Sequence, residues 1–175
     1  MSIFNLVKKA QKGNEKAFLK LFQKYEEDIY RTAFVYVKNQ EDALDVVQET
    51  AYRSFKSITT LKEPNYFKTW LIRICMSCSI DLLRKRKNVV HLNPESQENI
   101  PFEDQDVPLT VTLKDLLDSL NDQEKSVVIL RFYHDYTIKE TAELVELPLG
   151  TVKTVLYRAL NKLKKQAKEG ELYEQ

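Results

Sequence analysis

A chain of 175 residues has room for one ordinary domain or two small ones, and 43% hydrophobic residues is enough to build cores, which excludes disorder throughout. Only three glycines and five prolines stand among frequent Leu, Lys and Glu, a balance that favours helices over sheets and over glycine-rich catalytic loops. The formal net charge of +1 gives no overall attraction to nucleic acid, so any such affinity has to come from local segments.

The first ten residues carry Lys8 and Lys9 but no apolar run, and no later stretch approaches the roughly 20 apolar residues that span a bilayer. The expected location is therefore the cytoplasm. Leu6, Val7 and Ala10 make a short apolar stripe, and the turn Lys12-Gly13-Asn14-Glu15 introduces a second helix. There Phe18, Leu21, Phe22, Tyr25, Ile29, Ala33, Phe34 and Val37 share one face and mark a core element. A third helix, from about Gln40 to Phe55, repeats Ala43, Val47, Ala51 and Phe55 at intervals of four, which leaves Asp42, Asp45, Gln48 and Glu49 on an exposed acidic side. A loop from Lys56 to Asn65 contains Pro64. The fourth helix starts near Tyr66, aligns Trp70, Leu71, Ile74, Cys78 and Leu82, and ends on the basic run Arg84-Lys85-Arg86-Lys87. Cys75 and Cys78 form a C-x-x-C, but the second half of a zinc site is missing and His91 and His134 lie far away, so buried structural thiols are expected.

Residues 88–108 break the helical pattern with Pro94, Pro101 and Pro108, and carry Glu95, Glu98, Glu103, Asp104 and Asp106 with no Lys or Arg. This segment reads as an extended acidic linker. The fold expected is all-α: two small helical domains, over 1–87 and 109–170, joined by that linker and followed by a short tail over 171–175. In the second domain two capping boxes, Asn121-Asp122-Gln123-Glu124 and Thr137-Ile138-Lys139-Glu140, mark successive helix starts. The first helix runs through Phe132. The second carries Ile138, Ala142 and Val145 and closes at Leu147, where Pro148 takes the first position of a last helix.

That last helix turns Val152, Leu156, Ala159 and Leu163 inward and Thr151, Lys153, Thr154, Tyr157, Arg158, Asn161 and Lys162 outward. From Lys153 to Lys168 it holds six basic residues and no acidic one. A short helix, a tight turn and a basic second helix make a helix-turn-helix, which lays its second helix in a major groove. There Lys and Arg meet phosphates or guanine, whereas Thr and Tyr hydrogen-bond or touch a thymine methyl. Thr151, Lys153, Thr154, Tyr157, Arg158 and Lys162 are the candidate duplex contacts.

Five segments taken in order, Ala10-Gln11-Lys12-Gly13-Asn14 with Ala17-Phe18, Asp45-Val46-Val47-Gln48-Glu49, Phe67-Lys68-Thr69-Trp70-Leu71-Ile72-Arg73-Ile74, Ile80-Asp81-Leu82-Leu83-Arg84 and Gly150-Thr151-Val152-Lys153-Thr154, resemble the bacterial sigma factors of the extracytoplasmic-function group. The resemblance runs from about Leu6 to Leu163. Larger sigma factors have a folded third region where this chain has only the linker. The resemblance implies a sigma factor that joins core RNA polymerase through Asp42, Asp45, Gln48 and Glu49 and reads the -35 element with the last helix. It also implies capture of the -10 element as single strands. Such capture needs a positive groove and a base pocket, for which Lys56, Thr60, Lys62 and Asn65 of the loop, Ser77 of the fourth helix and Arg84, Lys85 and Arg86 are the candidates. Tyr66, Phe67 and Trp70 invite stacking, although Trp70 shares the apolar stripe and is expected in the core.

A cognate anti-sigma factor, often held in the membrane, is a further implied partner, and the linker resembles the segment that threads the polymerase's RNA exit path. Ser77 stands where the family often has asparagine, and Val155 and Leu160 where it often has arginine. No cofactor, metal or small-molecule substrate is expected, since the chain lacks the phosphate-binding, dinucleotide-binding, nucleophile-elbow and zinc-protease motifs. The main alternative is a helix-turn-helix regulator that acts on duplex DNA without being a polymerase subunit.

Overall fold

The computed structural model describes residues 2–92 and 116–173, and every regular element among them is helical. The chain divides into two compact units, Met1–Glu98 and Asn99–Gln175. No described helix is long and apolar enough to cross a membrane.

In the first unit, α1 (Ile3–Gln11) begins where the Ser2 hydroxyl accepts from the Asn5 amide at 3.3 Å. Gly13, at φ +86, supplies the left-handed turn after it. The Asn14 side chain then accepts from the Ala17 amide at 2.9 Å and opens α2 (Glu15–Val37), which closes on Lys38 in the left-handed conformation. Asn39 caps α3 (Gln40–Ser57), and α4 (Phe67–Leu92) follows two short 3-10 turns, Ile58–Thr60 and Pro64–Tyr66. The α2 helix packs on α1, α3 and α4, and α3 packs on α4. Leu21, Ile29, Phe67, Leu71 and Ile72 are fully buried at the centre. Emptying one such site costs about 2–5 kcal/mol.

Four sequence expectations are corrected by the structure. The α4 helix runs to Leu92, so residues 88–92 are helical and not part of an extended linker. Between Phe67 and Asn93 the chain has no proline, and the residue that Pro94 turns away from the helical region is Asn93, just beyond the last helical residue. The remainder of the expected linker, residues 93–108, lies outside the described residues.

The buried stripe of α3 is Asp42, Ala43, Val46, Val47, Thr50 and Ser54, with Ala51 and Phe55 only half-buried. Asp42, expected on the exposed acidic side, is thus inside at 2% exposure. Its carboxylate accepts from Asn39 Nδ2 at 2.6 Å and pairs with Arg86 at the far end of α4, so this charge is enclosed because it is partnered. Arg86, a candidate for the -10 strand, is the other half of that pair, with a side chain 58% exposed. Changing Asp42→Ala is expected to lower the unfolding free energy by about 2 kcal/mol, less than for a wholly enclosed pair because water reaches Arg86. Urea denaturation of the purified chain measures it, as a lower midpoint at unchanged slope.

Cys75 and Cys78 are free thiols, both buried. Burial, with the neighbouring Cys78, pushes the Cys75 thiol up to about 12. At pH 8 its thiolate fraction is then about one in ten thousand, so alkylation of the native chain is expected to be slow and to accelerate on unfolding. Mass-spectrometric counting of modified cysteines with and without denaturant checks this.

The second unit holds α5 (Asp122–Val128), continued by a π-helical turn Ile129–Tyr133, then α6 (Ile138–Val145) and α7 (Leu149–Tyr173). Both capping boxes form. Asn121 and Glu124 exchange bonds of 2.9 and 3.1 Å, and Thr137 and Glu140 exchange bonds of 3.2 and 2.8 Å. Between α6 and α7, Glu146 adopts the left-handed conformation and the Leu147 amide donates to the Ala142 carbonyl at 3.1 Å. Pro148 stands just before the first helical residue of α7, one place earlier than expected, and its carbonyl accepts from the Val152 amide at 3.0 Å. Val127, Ala142, Val152 and Val155 form the core under this turn, with Ile138, Val145, Leu147 and Leu156 packed around it.

Candidate nucleic-acid interface

The turn between α6 and α7 is short enough to hold α6 against the first turns of α7. That packing buries Val152 and Val155 and leaves Thr151, Lys153, Thr154 and Tyr157 exposed on the opposite side, Tyr157 to 70%. The Thr154 hydroxyl donates to the Gly150 carbonyl at 3.0 Å. Arg158 and Lys162 are only about half exposed, because both reach back to Glu124 of α5, Lys162 Nζ at 2.8 Å and Arg158 Nε at 3.0 Å. Glu124 itself is fully buried. Burial raises its carboxyl pKa, but the Lys162 hydrogen bond, the Asn121 amide and the charges of Lys162 and Arg158 outweigh that and hold it below the usual carboxylate range. With the folded value lowered, the stability this pairing supplies is present at neutral pH and is lost as pH falls through the folded value.

Val155, where the resembling family often carries arginine, is 1% exposed and belongs to the core, so it offers nothing to a phosphate. Leu160 is 40% exposed.

In the first unit the loop between α3 and α4 is held from α1. Gln11 Nε2 donates to the carbonyls of Leu61 at 2.7 Å and Ile58 at 3.2 Å, the second of which also accepts from the Leu61 amide at 3.2 Å to close the 3-10 turn. Around this anchor Lys56, Thr60, Lys62 and Asn65 are all exposed. Lys56 Nζ sits 4.7 Å from the Tyr52 ring centre, a cation-π contact, and the Thr60 hydroxyl donates to the Ser57 carbonyl at 2.7 Å. Ser77 is exposed on α4, and no hydrogen bond joins it to the loop among the described residues. Phe67 is fully buried and Trp70 half-buried, with ring centres 5.9 Å apart, whereas Tyr66 is 63% exposed. Of the three aromatics, Tyr66 is the one with a face open for stacking. Arg84, Lys85 and Arg86 line the exposed end of α4.

Asp45, Gln48 and Glu49 are exposed on α3 and border a groove of about 450 Å³ between α3 and α4, completed by Tyr52, Arg53, Cys78, Asp81, Leu82 and Lys85. Arg53 spans this groove, donating from Nε to Glu49 at 2.6 Å and from Nη1 to Asp81 at 2.7 Å. Reading the sequence missed Arg53 and Gln11. Glu49 and Arg53 at i, i+4 could have signalled the first, whereas nothing local signals a glutamine whose partners lie some 50 residues on.

The chain matches the Sigma-70 region 2 family over residues 21–89 and the Sigma-70 region 4 family over residues 116–165. It is 38% identical over 148 residues to the RNA polymerase sigma factor SigV of Bacillus subtilis, covering 85% of this chain and 89% of that one. It is 29% identical to the ECF RNA polymerase sigma factor SigW of the same organism, covering 97% and 98%. Among solved structures, CnrH, in complex with the cytosolic domain of CnrY, shares the fold with a TM-score of 0.70 at 22% identity, covering 95% of this chain and 97% of that one. The chain therefore belongs to the extracytoplasmic-function sigma factors of the sigma-70 family.

Proposed function

We propose that this chain binds core RNA polymerase and directs initiation at specific promoters, working as a subunit with no chemistry of its own and residing in the cytoplasm. In this reading the first domain covers residues 1–87, extended by the observed helix to Leu92, and the second covers 109–170. Asp45, Gln48 and Glu49 dock on the polymerase. Lys56, Thr60, Lys62, Asn65 and Ser77 hold the unpaired -10 strand, with Arg84, Lys85 and Arg86 steering its phosphates. The start of α7, through Thr151, Lys153, Thr154 and Tyr157, reads the -35 duplex. A cognate anti-sigma factor is an expected partner, as the sigma factor RpoE of Bartonella quintana is found in complex with the anti-sigma factor NepR.

What supports this reading above all is that regions 2 and 4 follow in order, each within its own compact unit. The test is run-off transcription with purified chain and core polymerase on a candidate promoter, including the one upstream of its own gene, with promoter opening followed by a reagent for unpaired thymine. Transcripts that need the chain are expected. Changing Asn65→Ala with Ser77→Ala should lower opening about tenfold while duplex binding persists. A regulator acting alone would bind duplex DNA equally well without polymerase and give no transcripts.

A further inference from the structure

Glu124 is costly where it stands. Its Oε2 accepts from Lys162 and from the Asn121 amide, but its Oε1, although 3.0 Å from Arg158 Nε, has no hydrogen-bond partner in acceptable geometry. Its capping bond to Asn121 and its pairing with Lys162 offset the cost of burying it, yet a well-packed apolar group in place of a buried ion pair is often neutral or better for stability. What the carboxylate does achieve is to take hold of two cations one turn apart on α7. Both belong to the helix whose first turns expose Thr151, Lys153, Thr154 and Tyr157.

We propose that Glu124 is a positioning residue for promoter reading: by tying Arg158 and Lys162 back against α5 it removes one positive charge from the DNA-facing helix, so that affinity rests on the base-reading residues at the start of α7. This rests on the reading of α7 as the -35 helix. The cluster of Glu124, Arg158 and Lys162 carries a net charge of +1, and neutralising the carboxylate raises it to +2. Non-specific binding to duplex DNA follows phosphate neutralisation and counterion release, whereas discrimination follows base contacts. Loss of the carboxylate therefore raises affinity for a scrambled duplex most, and for the specific duplex less, because there the base contacts already fix where the helix lies.

The experiment measures binding of the full chain, assembled with core polymerase, to a -35 duplex and to a scrambled duplex across a salt series. Glu124→Gln is nearly isosteric. It is expected to bind the scrambled duplex about tenfold and the specific duplex about threefold more tightly, to steepen the salt slope by about one, and so to lower the specific-to-scrambled ratio about threefold. Glu124→Asp keeps the charge and should keep the wild-type slope even if its melting temperature falls.

Should Glu124→Gln fold poorly, the same step of about one in slope is expected between Lys162→Gln and the double variant Lys162→Gln with Glu124→Gln. A carboxylate serving only the fold would weaken binding to both duplexes in step with melting temperature and leave the slope unchanged, and that result overturns the proposal. Lys153→Glu, run beside them, separates the two ideas. If it leaves specific binding intact, the assignment of α7 to the groove fails; if it abolishes specific binding while Glu124→Gln leaves slope and ratio untouched, only the role of Glu124 fails.

Discussion

Changing Lys153→Glu is expected to weaken binding of the polymerase-bound chain to a -35 duplex about 100-fold while the far-ultraviolet circular dichroism of the isolated chain stays as it was. Lys153 is exposed and makes no ion pair among the described residues, so its replacement removes nothing from the fold. Exposed substitutions of that kind change stability by about 0.5 kcal/mol at most, and a carboxylate near a helix N-terminus interacts favourably with the helix dipole. Against DNA the balance is the reverse. One contact to a base or phosphate is lost, worth about 1–3 kcal/mol, and a negative charge is brought to a negatively charged groove.

Arg158→Glu is not an equivalent test. It would set a second carboxylate beside the buried Glu124, at a place where Arg158 Nε now lies 3.0 Å from Oε1. Loss of binding there would report a damaged helix pairing as readily as a lost contact. Fluorescence anisotropy of a labelled duplex measures the affinity of the Lys153 variant. Wild-type affinity with wild-type dichroism would remove α7 from the groove.

The two capping boxes were legible because they are local: each needs only an Asn or Thr and a Glu three residues on, and both form as the spacing requires. Burial of charge was not legible, for the converse reason. Asp42 and Glu49 lie two turns apart on nearly the same side of α3, and periodicity treats them alike. They differ because α4 brings Arg86 to Asp42, whereas Glu49 faces the open groove, where Arg53 pairs with it. Glu124 gives the same lesson in the second unit. Its place in the capping box was evident, but its full enclosure depends on Arg158 and Lys162, more than thirty residues along the chain.

The mixed character of α7 follows from the same cause. Helical spacing turns Arg158 and Lys162 outward with Thr151, Lys153, Thr154 and Tyr157, yet α5 claims those two cations. The all-helical fold, the order of regions 2 and 4 and the helix-turn-helix were therefore visible in the sequence. The division of charged residues between fold and surface was not.

That division makes the second large prediction specific. Gln48→Ala combined with Glu49→Ala is expected to lower affinity for core polymerase about 30-fold, since a few residues at the centre of an interface carry most of its energy. The fold should survive, because Arg53 keeps its 2.7 Å bond to Asp81 across the α3–α4 groove when Glu49 is gone. The lost Glu49–Arg53 pair is an exposed i, i+4 contact worth about 0.5 kcal/mol.

Asp42→Ala should behave in the opposite way. Asp42 is enclosed and bound to Asn39 and Arg86, so its loss costs stability but leaves Asp45, Gln48 and Glu49 exposed on α3. At a temperature where both variants are folded, pull-down of core polymerase by the tagged chain should separate them, with retention by the Asp42 variant and loss by the double variant. Equal retention by both would move the polymerase contact away from this face of α3. Equal loss would mean that the first turn of α3, with its cap and its Arg86 pair, is part of the docking surface in its own right.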